Sequence, residues 1–255
     1  HDQVTAALVT DDTKVTASTA TVTLNDAAEV AVTAAELSAI GGKTSGTVTV
    51  SNAVAITGDH DQVTAALVTD DTKVAAATAT VTLNDAAEVA VTAAELSAIG
   101  GKTSGTVTVS NAVAISGNTD QVTAALVTTD TLVVASTATV SISDASTIAE
   151  LNAIAAKTDA VVTGSVSDTA ANLTHSENGL ATGSNDDITV TVSNFASIAQ
   201  LEALNLKTAG TVNTILRDTA ENFATLIGRG ASVYGALLKQ ATKTQITDYT
   251  DQDLS

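Results

Sequence analysis

The chain contains no cysteine, and this absence removes several classes of protein at once. Without cysteine there is no disulfide framework, no zinc site with thiolate ligands, no iron–sulfur cluster and no thiol nucleophile. Methionine, proline and tryptophan are absent too, and the 255 residues include only 2 Tyr and 2 Phe. Because an aromatic side chain buries roughly 150–250 Å², this core has to be built from Val, Ala, Leu, Ile and Thr methyl groups instead.

Positive charge is also scarce, with 10 Lys+Arg against 28 Asp+Glu and a formal net charge of -18. Nucleic acids and anionic membrane surfaces are bound through basic side chains, so we expect neither as a partner. No run of 18 or more apolar residues occurs, which predicts no membrane insertion. The chain starts at His1 and contains no Met, so we interpret it as a processed protein or a segment of a longer one.

An internal repeat dominates the sequence. Residues 60–117 repeat residues 1–58 with three differences, so the second copy starts at His60 as the first starts at His1. A third copy begins at residue 119 and diverges, and the signature AELSAIGGKT continues as AELNAIAAKT and then as AQLEALNLKT. We therefore predict repeat 1 (1–59), repeat 2 (60–118), a divergent repeat 3 (119–175), a degenerate repeat 4 (176–227) and a C-terminal cap or docking segment (228–255).

Each copy contains two short helical patterns. In TAAELSAIGGKT, Thr33 followed by Glu36 predicts a capping box, and Gly41 with Gly42 predicts the C-terminal end of the helix. In the second pattern, DQVTAALVT, Asp61 is predicted to be the N-cap, with Val63 and Leu67 facing inward.

Strand patterns with a period of two residues lie between the helices, at Ala20–Val32 and Thr47–Ile56. Each is interrupted by a polar pair that is typical of a corner. Alternating strands and helices predict parallel pairing through right-handed crossovers, and a fixed repeat predicts stacking. We therefore predict an α/β solenoid with parallel strands and short helices in every coil. The alternative is a row of tandem β-sandwich domains.

The elements GTVTV, SDTAANL and AELNAI resemble repeats of very large, Ala/Thr/Val/Asp-rich bacterial extracellular surface proteins. These include adhesins and S-layer-like or calcium-dependent exoproteins. The resemblance covers most of residues 1–227 and implies an extracellular structural or adhesive role at the bacterial cell surface. The glycine-rich nonapeptide that builds calcium rolls is absent, so no calcium ligand is carried over from that family.

Paired Asp and Asn residues in the predicted turns are candidate calcium ligands. Equivalent corners would stack in a solenoid, and Ca²⁺ takes six to eight oxygen ligands. The competing interpretation is that these acids are solvated and keep the protein soluble. The candidates are Asp11, Asp12, Asn25, Asp26, Asp70, Asp71, Asn84, Asp85, Asp186 and Asp187.

The residues give little support to catalysis, and we predict that the protein is not an enzyme. There are three histidines, and the third copy has Thr119 where the second has His60, so we interpret the histidines as structural or surface residues. No nucleophile-elbow motif GxSxG occurs. Threonine arrays such as TVTV are compatible with binding to surface glycans, although Thr is also common on solvated strand faces.

These observations favour an extracellular structural repeat protein that forms a rod, a self-assembling filament or a surface-layer element. Residues 1–10 read as mid-repeat sequence, so we expect head-to-tail association of copies into a homopolymer. The alternative is a spacer stalk of a calcium-dependent bacterial adhesin, which would place a binding domain at a distance from the cell.

Overall fold

The structure is a computed structural model that describes residues 1–10, 15–70, 74–130, 133–230, 235, 237 and 241–246. It is an α/β fold of mainly parallel sheets and short helices. The chain divides into two compact units, unit 1 (His1–Val140 with Lys157–Asp159) and unit 2 (Ser141–Ala156 with Ala160–Ser255). This division reflects packing and not sequence copies, so the five segments drawn from the repeat stay a prediction.

The helices are short and lie between the strands. In the described residues they are α1 (Asp2–Leu8), α2 (Ala34–Gly41), α3 (His60–Val63), α4 (Ala93–Gly100), α5 (Thr119–Leu126), α6 (Ile148–Ala155), α7 (Ala170–Leu173), α8 (Ile198–Asn205) and α9 (Ala220–Gly228). A π-helical segment, Thr64–Val68, continues α3. Within the described part of the chain, none of the helices combines the length and apolarity needed to cross a bilayer.

The strands are short as well. They are β1 (Val22–Leu24), β2 (Ala31–Thr33), β3 (Val48–Val50), β4 (Ala55–Gly58), β5 (Val74–Ala75), β6 (Thr80–Leu83), β7 (Ala90–Thr92), β8 (Val107–Val109), β9 (Ala114–Gly117), β10 (Val133–Val134), β11 (Thr139–Ser146), β12 (Val162–Asp168), β13 (Asp187–Ala196), β14 (Val212–Asp218) and β15 (Ala241–Ile246). The predicted strand patterns are thus each split in two, at the polar pairs Asn25-Asp26 and Ser51-Asn52.

The capping box predicted for the first signature helix is confirmed. Thr33 Oγ1 accepts the Glu36 N–H at 3.2 Å, and the Glu36 carboxylate accepts the Thr33 N–H at 2.9 Å. Leu37 and Ile40 are fully buried below it. Gly42 is the C-cap as predicted, but its φ of -68° is right-handed, so the helix end does not use the left-handed freedom of glycine.

The prediction that Asp61 caps the second helix is wrong. The N-cap is Asp59, whose carboxylate accepts the Gln62 N–H at 2.8 Å, while the Gln62 side chain accepts the Asp59 N–H at 3.3 Å. Asp59 has the extended backbone that a cap requires, and Asp61 lies in the first turn, where a negative charge interacts favourably with the helix dipole. The predicted inward residues Val63 and Leu67 are buried.

Each registered strand of unit 1 pairs in parallel with the strand that comes two later in the chain. One sheet has the order β1-β3-β5, another has the order β10-β8-β6-β4-β2, and β7 pairs with β9. Val22 is in register with Val48, and Ala31 is in register with Ala55. We call the interval along the chain between such partners the register period. These parallel pairs disagree with tandem β-sandwiches, whose sheets are antiparallel.

A continuous row of buried side chains runs across the five-stranded sheet of unit 1. The row consists of Val32, Ile56, Val81, Val107 and Val133, which are in register with one another and at most 8% exposed. β-Branched side chains pack well on a pleated surface, and a parallel register brings side chains of similar shape together. This row therefore forms a narrow core without aromatic residues.

Unit 2 follows the same pattern with less regular spacing. Its strands lie in the order β15-β14-β13-β12-β11, and all of its registered pairs are parallel. The register shifts within the β13–β14 and β14–β15 pairs. Strand β15 falls in the segment predicted to be a cap or docking segment, and much of the remainder of 228–255 lies outside the described residues.

The signature AELSAIGGKT and its later copies all end in Lys-Thr. The hydroxyl of this threonine lies between two stretches of the chain. Thr44 Oγ1 donates to the Ala20 carbonyl at 2.5 Å and accepts the Gly46 N–H at 3.0 Å. Thr103 makes the same bonds to Ala79 and Gly105. A Cβ on either of these glycines would overlap the same carbonyl group, so the sequence Thr-Ser-Gly permits a close approach that larger residues would prevent.

Two further copies retain the hydrogen bond from the threonine hydroxyl to a carbonyl. Thr158 Oγ1 donates to the Ala138 carbonyl at 2.6 Å, and Thr208 Oγ1 donates to the Ile188 carbonyl at 2.8 Å. All four threonines are at most 9% exposed. The repeated Lys-Thr is thus a structural signature, since its buried hydroxyl satisfies backbone groups about one register period away.

We predict that Thr103→Val destabilises the protein by about 1–3 kcal/mol. The change preserves side-chain shape but leaves the Ala79 carbonyl and the Gly105 N–H without the hydroxyl. Urea denaturation measures the difference. Thr108→Val, at a half-exposed position on β8, is the matched control. Equal losses in both variants would contradict the role assigned to the buried hydroxyl.

Candidate functional site

The predicted calcium ligands occupy separate corners of the fold. Asp11, Asp12 and Asp71 lie outside the described residues, and Asp70 is exposed in a turn. Asn25 with Asp26 follows β1, and Asn84 with Asp85 follows β6. Asp186 and Asp187 lie at the start of β13.

Asp85 joins three successive register periods. Its side chain is 4% exposed, and one carboxylate oxygen lies 2.6 Å from Nδ1 of His60. The other oxygen accepts the His60 backbone N–H at 3.0 Å. The Asp85 carbonyl accepts a hydrogen bond from Asn111 Nδ2 at 2.6 Å. The corner therefore contacts the chain one period before it, at His60, and one period after it, at Asn111.

The first copy has the same arrangement. The Asp26 carboxylate lies 3.1 Å from Nδ1 of His1, and its carbonyl accepts a hydrogen bond from Asn52 Nδ2 at 2.6 Å. The Asn-Asp corner predicted from the sequence is thus paired with two residues that the sequence does not place nearby. One is a histidine at the start of a preceding segment, and the other is the Asn of the next polar pair.

A similar contact recurs in unit 2. Asn194 Oδ1 accepts the Ala170 N–H at 2.8 Å, and the Asp218 carboxylate accepts the Ile198 N–H at 2.9 Å. In both cases the donor is the first residue of a helix, and in unit 1 the His60 N–H is also at a helix start. Such N–H groups have no partner within their own helix. The corner side chains therefore cap helices that belong to the preceding register period.

The third predicted corner differs in its donors. Asp186 is 8% exposed, and its two carboxylate oxygens accept the Val162 N–H at 2.8 Å and the Gly183 N–H at 2.7 Å. Asp187 beside it is exposed. Asp186 and Asp85 thus both accept hydrogen bonds from backbone N–H groups. Calcium binding by any of the ten candidate residues stays a prediction.

His60 is surrounded by three carboxylates. Besides Asp85, Asp61 lies with its carboxylate 3.5 Å from Nε2 of His60, and the charge of Glu95 also acts on the ring. Burial lowers the pKa of His60, but the Asp85 hydrogen bond and the three negative charges outweigh it, so the pKa lies above its ordinary value. The interpretation of His60 as structural or surface thus fits its position but omits this cluster.

Sequence reasoning missed Glu95 and Glu36 as neighbours of the histidines. Each is the third residue of a signature helix and also closes its capping box. Glu29 and Glu88, which have φ of 66°, supply the left-handed residue of their corners, whereas the sequence pattern predicts this role for Asn-Asp. Their N–H groups donate to Ala53 and Ala112 at 2.8 Å, which offsets the cost of the left-handed backbone.

Comparison with known proteins found no match, either among models of protein families, among curated proteins or among solved structures.

We predict that the ionised carboxylate of Asp218 stabilises unit 2 at neutral pH, and that this stabilisation is lost at acidic pH. Burial raises the pKa of Asp218, but hydrogen bonds from Asn222 Nδ2 and from the Ile198 and Thr219 N–H groups outweigh it and lower the pKa below its ordinary value. A carboxyl with a lowered folded-state pKa contributes stability above its unfolded pKa. That stability is lost as the pH falls through the folded-state pKa.

The measurement is the urea midpoint as a function of pH for Asp218→Asn. The variant should be less stable than the parent at neutral pH, and the difference should shrink as the solution becomes acidic. Helix α9 follows Asp218, and Glu221 lies in its first turn. Glu221→Gln therefore controls for the loss of one negative charge. A difference that stays constant from neutral to acidic pH would contradict the assignment.

Proposed function

We propose that this protein is an extracellular structural repeat protein, folded as an α/β solenoid, that builds a rod, a filament or a surface layer. The observation that carries the proposal is the register period of unit 1. Strands pair in parallel once in every register period, and their buried side chains continue from one strand to the next. Stacking of this kind makes stability additive along the chain.

The chemistry of the surface supports a structural role. The net charge of -18 and the exposed acids keep such an assembly soluble. The absence of Cys and Met leaves no sulfur to oxidise, which suits a long-lived exterior structure. The resemblance of the repeats to bacterial surface proteins agrees with an extracellular location. The proposal includes no catalytic step.

Self-association is supported by the ends of the sheets. Strand β2 is the outer strand of the five-stranded sheet of unit 1, and β15 is the outer strand in unit 2. The outer strand of a sheet presents backbone groups that can pair with another chain. In head-to-tail assembly, these edges would contact copies of the same chain.

A row of outward threonines also supports a role at a surface. Thr33, Thr57, Thr82 and Thr108 are in register across β2, β4, β6 and β8. Surface glycans are candidate partners for their hydroxyl groups. This row is the observation that favours the second candidate function, a spacer stalk of a calcium-dependent bacterial adhesin.

Negative-stain electron microscopy of the native chain, with and without EDTA, tests this proposal. Filaments that persist in EDTA are the expected result, because strand stacking and packing hold them together. Filaments that dissociate in EDTA would favour the calcium-dependent stalk, and monomers under both conditions would contradict self-assembly.

Two matched variants test the strand edge. Ala31→Lys places a charge at an exposed position of the outer strand β2, whereas Thr49→Lys places the same charge at an exposed position of the inner strand β3. Only Ala31→Lys should shorten the filaments, because a charged edge opposes pairing with another strand. Equal filament lengths in both variants would contradict a role for this edge.

A further inference from the structure

The segment DQVTAAL occurs in each of the first three copies of the repeat, and its burial differs between them. In the first copy it forms α1, and no residue of α1 is buried. In the second and third copies the matching Val, Ala and Leu side chains are at most 5% exposed, at Val63, Ala66, Leu67, Val122, Ala125 and Leu126. Because the seven residues are identical, their neighbours cause the difference.

Val15 shows the same difference outside the helix. It is 53% exposed, whereas the matching Val74 and Val133 are each 8% exposed. Val74 begins β5 and Val133 begins β10, and these strands pair in parallel with β3 and β8. Val15 itself belongs to no strand. The valine is therefore buried in the copies where a preceding strand pairs beside it.

Strand β1 pairs with a described strand on one side only, and that strand is β3. The matching strand of the second copy, β6, lies between β8 and β4. On the β4 side, the Thr80 N–H donates to the Val54 carbonyl at 3.0 Å. Val22 on β1 is half-buried, whereas the matching Val81 on β6 is 1% exposed. A preceding strand thus completes the hydrogen bonding and the burial of β6.

The preceding copy supplies these contacts to the second copy. Helix α2 packs against α3 and against the π-helical segment that continues α3, and β4 pairs in parallel with β6. Both α2 and β4 come before the second copy in the chain. The first copy therefore exposes a surface that, in the second copy, contacts another copy of the same repeat. We call α1, Val15 and β1 the open face.

We propose that the open face binds a second copy of this chain, which adds a parallel strand beside β1. The inference rests on the self-assembly proposed above and names the surface that carries it. The contacts inside unit 1 are the template, because the same side chains and the same strand edge pack there against a copy of the repeat. Addition of a strand to an exposed edge is a recurrent mode of recognition, and exposed apolar side chains mark such surfaces.

Strand β15 gives a second copy a complementary edge. Strands follow chain order across the sheet β1-β3-β5, so the open side of β1 accepts a strand that precedes it in such an order. In unit 2, β15 is the last strand of a series that also pairs in parallel. The two edges belong to different strands, so the contact is heterologous, and a heterologous contact that does not close into a ring builds a filament.

Val15→Lys tests the open face, with sedimentation velocity of the 255-residue chain over a range of concentrations as the measurement. The substitution should raise the dissociation constant by about 10–100-fold, because it places an unpaired charge in the contact. Val134→Lys is the matched control. Val134 is 48% exposed, and the matching Thr16 and Ala75 are exposed as well, so this position faces solvent in every copy. The control should associate like the parent.

Thr23→Pro tests the added strand. The Val22 N–H donates to the Thr47 carbonyl on the β3 side at 3.0 Å. Successive residues of a strand alternate in direction, so the Thr23 N–H faces the open side. Proline is tolerated on an edge strand when its nitrogen faces solvent, so the variant should fold, which circular dichroism establishes. It should associate as weakly as Val15→Lys.

The outcomes separate this inference from the proposed function. Association that neither Val15→Lys nor Thr23→Pro weakens would overturn the inference and leave self-assembly in place. Equal weakening by Val15→Lys and Val134→Lys would overturn it too, because the open face would then have no special role. A parent chain that stays monomeric at every concentration would contradict self-assembly itself, and the occupant of the open face would be another protein or a further segment of a longer polypeptide.

Discussion

Parallel hydrogen bonding between strands one register period apart is the constraint on which the rest of unit 1 depends. Because the period is nearly constant from strand to strand, most registered pairs join side chains of the same kind. A core of Val and Ile needs no aromatic residue when each side chain packs against another of similar shape. The same register brings Thr103 to Ala79 and Asp85 to His60, which are bonded across one period.

The polar residues of the repeat thus form hydrogen bonds to backbone groups at the junctions between register periods. A parallel crossover leaves helix N–H groups and corner carbonyls without partners in their own segment. Asp85 accepts such an N–H and Asn111 donates to such a carbonyl, while Thr103 donates to the Ala79 carbonyl and accepts the Gly105 N–H. A high content of Asp, Asn and Thr is therefore as much a property of the interior junctions as of the solvated surface.

Local features could be predicted from the sequence, and features that depend on register could not. The Thr33 capping box and the split of each strand pattern at a polar pair involve residues within a few positions of each other. The sequence pattern predicts the N-cap of α3 at Asp61 and not at Asp59, because two acids at similar spacing fit the same pattern. The electrostatic effect of Glu95 on His60 depends on which helices are neighbours, and strand β15 depends on pairing with β14. Neither follows from periodicity alone.

The most direct test of this account is a methyl-labelled NMR spectrum that measures which valine and isoleucine methyl groups are neighbours. The account predicts nuclear Overhauser effects that link Val81 to both Ile56 and Val107, since the three are in register on adjacent parallel strands. The absence of these contacts, with Val81 instead close to an antiparallel neighbour, would contradict the register on which the fold, the corners and the proposed assembly depend.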